Sequence, residues 1–221
     1  MIRGVIFDMD GVLIDSNPLH EEAWVEYLTG LRIPHDGIDT LMAGKRNDFI
    51  MRRLLGPEAS EEEVFAHGAA KEALYRQKMR PVVERQLTRG LRGFLAQLTG
   101  LPVGLGTNAE PANVAFLLTE AKLDGHFRAV VDGHQVANPK PAPDIYLRVA
   151  ENLGVAAGDC VIFEDSPSGI AAARAAGARV VGVSQRGGAL AGAELTISHF
   201  ADPALEEWWR REQPANGRAH L

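Results

Sequence analysis

Two carboxylates stand close together where an apolar run ends, in Val5-Ile6-Phe7-Asp8-Met9-Asp10-Gly11-Val12. Like charges at this spacing repel unless a cation or a shared proton lies between them. Asp8 and Asp10 therefore point to a metal site combined with a nucleophile or an acid/base group. Asp-x-Asp-Gly is also ordinary strand-to-turn chemistry. More polar groups follow apolar runs later in the chain. Thr107 follows Val103-Gly104-Leu105-Gly106, and Glu164-Asp165 closes Cys160-Val161-Ile162-Phe163. Lys140 lies in the proline-rich stretch Asn138-Pro139-Lys140-Pro141-Ala142-Pro143-Asp144. Taken singly, Thr107 reads as a turn or cap hydroxyl, Lys140 as a solvated lysine, and Glu164-Asp165 as the acidic start of a helix.

The elements that must position these groups alternate. Val5–Phe7, Pro102–Gly106, Ala129–Val131, Cys160–Phe163, Arg179–Val183 and Leu195–Ile197 read as short strands. Leu91–Leu98, Ala112–Ala121, Pro143–Leu153 and Gly169–Ala176 read as helices between them, with Gly154 as a C-cap. This alternation predicts an α/β fold, a doubly wound and mostly parallel sheet with right-handed crossovers. The ends of parallel strands share one edge, where ligands of open sheets bind. That edge would collect Asp8, Asp10, Thr107, Lys140, Glu164 and Asp165.

From Leu19 to about Glu84 the pattern is helical throughout. Leu19–Leu28 and Asp48–Leu55 have helical spacing, and Ser60-Glu61-Glu62-Glu63 forms a capping box opening a helix that Pro81 ends. The chain is thus expected to have an α/β core over 1–15 and 86–221 interrupted by an all-helical cap over 16–85. Asp15-Ser16 lies at the entry to the cap, as a hinge or as a helix cap. His20 reads as a surface or interface group. Gly44-Lys45-Arg46-Asn47-Asp48 is a basic loop within the cap, either a phosphate contact or a solvated charge cluster.

Composition limits the function classes. A net charge of -6 argues against a general nucleic-acid binder. No apolar run spans a bilayer, so no membrane partner is expected. The chain enters its first strand directly, so no signal peptide is expected, and its one cysteine, Cys160, is expected to be an inert core residue. A cytoplasmic protein, monomeric or weakly homodimeric, fits these features. Trp208 and Trp209 are expected to pack on the core.

The order and spacing of the polar groups resemble the haloacid dehalogenase superfamily of phosphatases and phosphomutases. Asp8-Met9-Asp10-Gly11-Val12 matches its first motif, Thr107 its second, Lys140 its third and Glu164-Asp165 its fourth. The resemblance implies a Rossmann-like core, a helical cap and a Mg²⁺ cofactor. It implies Asp8 as nucleophile and metal ligand. Asp10 would bind metal through its backbone carbonyl and act as acid and base through its carboxyl. Asp165 would be a second carboxylate ligand, and Glu164 a further ligand or an outer group. Thr107, Asn108 and neighbouring amides would hold phosphoryl oxygens, and Lys140 would neutralise charge.

The wording Asp10-Gly11-Val12-Leu13-Ile14-Asp15-Ser16 is closest to the subgroup of β-phosphoglucomutase and sugar-phosphate phosphatases. His20, Lys45 and Arg46 are its candidate substrate contacts. The mutase pattern has a lysine just before the cap-loop glycine and an arginine a few residues after it. Here Ala43 and Asn47 stand there, and Asn108-Ala109-Glu110-Pro111 also departs from the mutase run. These departures favour a phosphatase acting on a small phosphorylated metabolite, with a phosphomutase as the alternative. The superfamily's dehalogenases replace several of these acids. A non-catalytic binding module, the reading from another class, would be expected to lose Asp8 or Lys140.

Overall fold

The computed structural model describes residues 1–42 and 45–213. The chain begins with β1 (Gly4–Phe7) and continues into helices α1 (Asn17–Leu31), α2 (Ile38–Met42), α3 (Asn47–Leu55), α4 (Glu61–Met79) and α5 (Val83–Gln86). Then α6 (Leu91–Gln97), β2 (Val103–Gly106), α7 (Pro111–Glu120), β3 (Ala129–Val131) and α8 (Asp144–Leu153) follow. The chain closes with β4 (Cys160–Glu164), α9 (Pro167–Ala175), β5 (Arg179–Val183), β6 (Leu195–Ile197) and α10 (Pro203–Glu212).

Among the described residues the strands form one six-stranded sheet in the order β3-β2-β1-β4-β5-β6, every pairing parallel. This is the doubly wound α/β arrangement expected from the sequence. The direction of winding reverses between β1 and β4, and ligands bind at such a switch point. Asp8 follows β1 and Glu164 ends β4, so the acids sit there by topology alone.

Alternation along the strands divides the core between the two faces of the sheet. Val5, Phe7 and Phe163 join one apolar cluster, Ile6 and Ile162 the other. Phe7 stacks on Phe163 with centroids 5.0 Å apart and meets Phe94, Phe127 and Phe200 at 6.3, 6.2 and 5.7 Å. Trp208 is buried and Trp209 half-buried against this cluster. Burial pushes the Cys160 thiol up to about 11, which keeps it an unreactive thiol at neutral pH.

The helices between β1 and α6 form a cap with its own core of Trp24, Leu28, Ile38, Ile50, Met51 and Val64. The capping box forms as read. Glu63 N–H donates to Ser60 Oγ at 3.1 Å, and Ser60 N–H donates to Glu63 Oε2 at 2.8 Å. Pro81 does end α4, inside a 3₁₀ turn over Arg80–Val82. Where the chain enters and leaves the cap, the two crossings run side by side. Asp15 N–H donates to Gln86 O at 2.8 Å and Thr88 N–H to Leu13 O at 3.0 Å. Gly44 of the basic loop and Ala43 before it lie outside the described residues. Among the described residues no helix is long and apolar enough to cross a membrane.

Phe7 joins the central strand to the aromatic cluster directly beneath Asp8. Phe7→Ala should cost about 3–5 kcal/mol of stability in denaturant unfolding. A loss below about 1 kcal/mol would contradict the assigned packing.

Candidate active site

Asp8 leaves the end of β1 with its backbone N–H bonded to Phe163 O at 2.9 Å. The chain then turns sharply at Gly11, which has φ +77°. A side chain there would be strained, and its Cβ would lie 1.9 Å from Asp165 Oδ2. Gly11 therefore lets the first acidic loop close onto the acids after β4. Gln185 braces the turn from outside, donating to Gly11 O at 3.0 Å.

Asp8, Glu164 and Asp165 each offer a carboxylate oxygen within 4.8 Å of the others. Lys140 is buried between two of them, its Nζ 2.7 Å from Asp8 Oδ1 and 2.7 Å from Glu164 Oε1. Burial alone would lower the ammonium's pKa, but Asp8 and Glu164 hold it above its ordinary value. Tyr146 places its ring under Nζ at 4.6 Å and donates its hydroxyl to Glu164 Oε1 at 2.8 Å. Glu164 Oε2 accepts from Ser166 N–H at 2.9 Å and Ser166 Oγ at 3.1 Å. The Lys140 charge first, then its hydrogen bond and those from Ser166 and Tyr146, hold the Glu164 carboxyl below its usual range despite the burial that opposes it. Gly169 makes room for this carboxylate, since a Cβ there would lie 1.7 Å from Glu164 Oε1.

One ammonium does not neutralise three carboxylates. Burial and the neighbouring Glu164 raise Asp8, although Lys140 pulls it down. Asp165 is raised well above its ordinary value by burial, then by Glu164 and Asp8, although Asn17 donates to it at 3.1 Å. Carboxylate oxygens gathered around an uncompensated negative charge suit a hard cation.

Thr107 is buried at the end of β2, and its Oγ1 accepts from Ala109 N–H at 3.1 Å. Asn108 Oδ1 accepts from Lys140 N–H at 3.2 Å, which ties the second motif to the third. Asp10 faces the cap. Ser16 Oγ donates to Asp10 Oδ1 at 2.7 Å, so the Ser16 hydroxyl serves Asp10 and makes no capping bond to α1. His20 Nε2 lies 3.5 Å from the same oxygen, its ring stacked 3.7 Å from Tyr75. Burial would raise Asp10, but hydrogen bonding to His20 and Ser16 more than reverses this and holds it below its ordinary value.

The cap supplies groups that sequence reading missed. Lys71 is fully buried on α4, its Nζ 2.8 Å from His20 Nδ1 and 2.8 Å from Glu72 Oε1. Glu72 also accepts from Asn47 at 2.5 Å and from Asn113 at 2.6 Å. Burial opposes ionisation of Glu72, yet His20, Lys71 and these donors bring it down to about 2. A signal was present in the sequence. Val64, Gly68, Lys71, Glu72, Tyr75 and Met79 fall on one buried stripe of α4, and charges on such a stripe need partners.

Lys45 and Arg46 line the same cavity, of about 430 Å³, as the acids and His20. Lys45 is exposed, 5.7 Å over the Phe49 ring. Arg46 is engaged by Asp48, at 3.2 Å from Nε and 3.0 Å from Nη2, and Nη1 donates across to Gly133 O at 2.8 Å. The cavity therefore lies between a cap wall and the sheet edge, with the predicted residues of both walls around it.

The same architecture occurs in known proteins. The crystal structure of β-phosphoglucomutase from Clostridium difficile superposes with a TM-score of 0.83 at 24% identity, covering 96% of this chain and 98% of that one. A HAD hydrolase of family IA, variant 3, from Entamoeba histolytica superposes at 0.81 with 28% identity, covering 93% and 97%. Beta-phosphoglucomutase of Bacillus subtilis is 30% identical over 219 residues, 94% of this chain and 96% of that protein. Fructose-1-phosphate phosphatase YqaB of Escherichia coli is 33% identical over 188 residues, 81% and 95% of the two. Residues 2–177 match the family of haloacid dehalogenase-like hydrolases, and with the acids, Thr107 and Lys140 gathered at the switch point of the sheet, the chain belongs to that family.

Proposed function

We propose that the protein is a Mg²⁺-dependent phosphatase that hydrolyses a small phosphorylated metabolite, a sugar phosphate, through an aspartyl-phosphate on Asp8. The carrying observation is Lys140 held at 2.7 Å from both Asp8 and Glu164 beside a second acid, Asp165. The carboxylates of Asp8 and Asp165 and the backbone carbonyl of Asp10 would hold the ion. Both oxygens of Glu164 are committed to Lys140, Tyr146 and Ser166, which supports an outer, orienting role for it. Bound Mg²⁺ supplies positive charge that lets an anionic nucleophile meet an anionic phosphate.

The protein's own groups carry the steps. Asp8 attacks phosphorus, while the Thr107 hydroxyl, neighbouring amides and Lys140 stabilise the transferring oxygens. Asp10 gives its proton to the leaving oxygen. An arriving phosphate dianion raises the proton affinity of Asp10, which its free-state partners hold low. Once the alcohol departs, the same carboxylate takes a proton from the water that attacks the phosphoryl group, and inorganic phosphate leaves. His20 and Ser16 aim Asp10, and Lys71 holds the His20 ring. The paired crossings at Asp15–Gln86 and Leu13–Thr88 are the place where residues 16–85 would pivot to admit substrate.

The direct test is hydrolysis of p-nitrophenyl phosphate. Turnover should appear with Mg²⁺, vanish with chelator and return on adding the ion back. Equal turnover in chelator would overturn the metal-dependent reading. Asp10→Asn should lower kcat by about a hundredfold or more, while Mg²⁺ affinity in calorimetry stays close to wild type. Unchanged kcat would remove Asp10 from the acid/base role.

A further inference from the structure

The two ends of the cavity differ in charge. At the sheet edge Lys140 faces the reacting position. At the cap end two cations already have anionic partners, the half-buried Arg46 with Asp48 and the buried Lys71 with Glu72. The other cationic residues lining the cavity, Lys45 and Arg186, are exposed. Between the walls one side-chain amide bridges two carboxylates. Asn47 Nδ2 donates to Glu72 Oε1 at 2.5 Å and to Glu110 Oε1 at 3.1 Å. Glu72 belongs to α4 of the cap. Glu110 belongs to the loop that carries Thr107 and Asn108, where it is the residue just before α7. Gly68, one turn before Glu72, lies beside this strip, where a Cβ would be in ordinary contact with Asn47 Cβ at 3.5 Å and Glu110 Oε1 at 3.8 Å.

We propose that Glu110, clasped through Asn47 to Glu72, is a specificity-determining residue that admits an uncharged polyhydroxy tail and rejects a second phosphate. This deepens the phosphatase reading above and rests on it. Carboxylates accept hydrogen bonds from sugar hydroxyls but have no proton to offer a phosphate oxygen. A second phosphate at the cap end meets the Glu110 carboxylate, which an amide and not a cation holds, and finds Arg46 and Lys71 engaged by Asp48 and Glu72, which is discrimination by repulsion. The same loop presents Thr107 at one end and Glu110 at the other, so the phosphoryl site and the tail site lie a fixed distance apart.

The test is competitive inhibition of p-nitrophenyl phosphate hydrolysis by fructose 1-phosphate and by fructose 1,6-bisphosphate. In wild type the bisphosphate should have a Ki at least about ten times that of the monophosphate, a difference of about 1.4 kcal/mol. Glu110→Gln should shrink that ratio about tenfold, and Glu110→Lys should shrink it further or invert it. Equal Ki values in wild type, or a ratio unmoved in both variants, would overturn the specificity assignment. Absence of any wild-type hydrolysis of p-nitrophenyl phosphate with Mg²⁺ would instead overturn the phosphatase reading on which it rests.

Discussion

The ammonium of Lys140 between Asp8 and Glu164 is the interaction on which the rest depends. Desolvating charges is expensive, and removing one partner of a buried ionic group commonly costs about 3–5 kcal/mol. Here three carboxylates converge where β1 and β4 diverge, and Lys140, Tyr146 and the Ser166 N–H and hydroxyl stabilise the deepest of them. Glu164 thereby fixes the lysine, and the lysine fixes Asp8. One ammonium among three carboxylates leaves net negative charge around Asp8 and Asp165, an oxygen-rich setting that could hold a hard cation.

The sheet and the cap divide the remaining tasks. The parallel strands bring Asp8, Thr107 and Glu164 to one edge, because Asp8 and Thr107 directly follow β1 and β2 and Glu164 ends β4. The cap turns a polar stripe of α4 inward. Lys71 steadies His20, His20 and Ser16 face Asp10, and Glu72 gathers donors from Lys71, Asn47 and Asn113. The cap therefore completes the surroundings of Asp10 through His20, while Ser16 meets it at the entry to α1. Asn113 belongs to α7 of the core, so Glu72 registers the position of the cap relative to the chemistry.

Much of this was legible before any coordinate. The strands and the motif residues announce themselves locally, through short β-branched runs ending in Asp8, Thr107 and Glu164. The partners do not. Lys71 and His20 are 51 residues apart, and Lys140 and Asp8 are 132. A lysine on a helix reads as solvated until the packing of that helix is known. Ser16 read as a hinge or a cap because its partner Asp10 lies across a turn that sequence patterns do not describe. The short α2 and α5 carry too few residues for a periodic signal. The last helix, α10, does carry a local start signal in Asp202-Pro203, with Asp202 accepting from Ala204 N–H at 3.0 Å.

The central claim is that Asp8 becomes phosphorylated. Acid quench of the enzyme during turnover of a phosphate ester with Mg²⁺, followed by peptide mass spectrometry, tests it most directly. One phosphoryl group is expected on the peptide containing Asp8 and none in Asp8→Asn. A phosphoryl group on any other residue, or its persistence in Asp8→Asn, would contradict it.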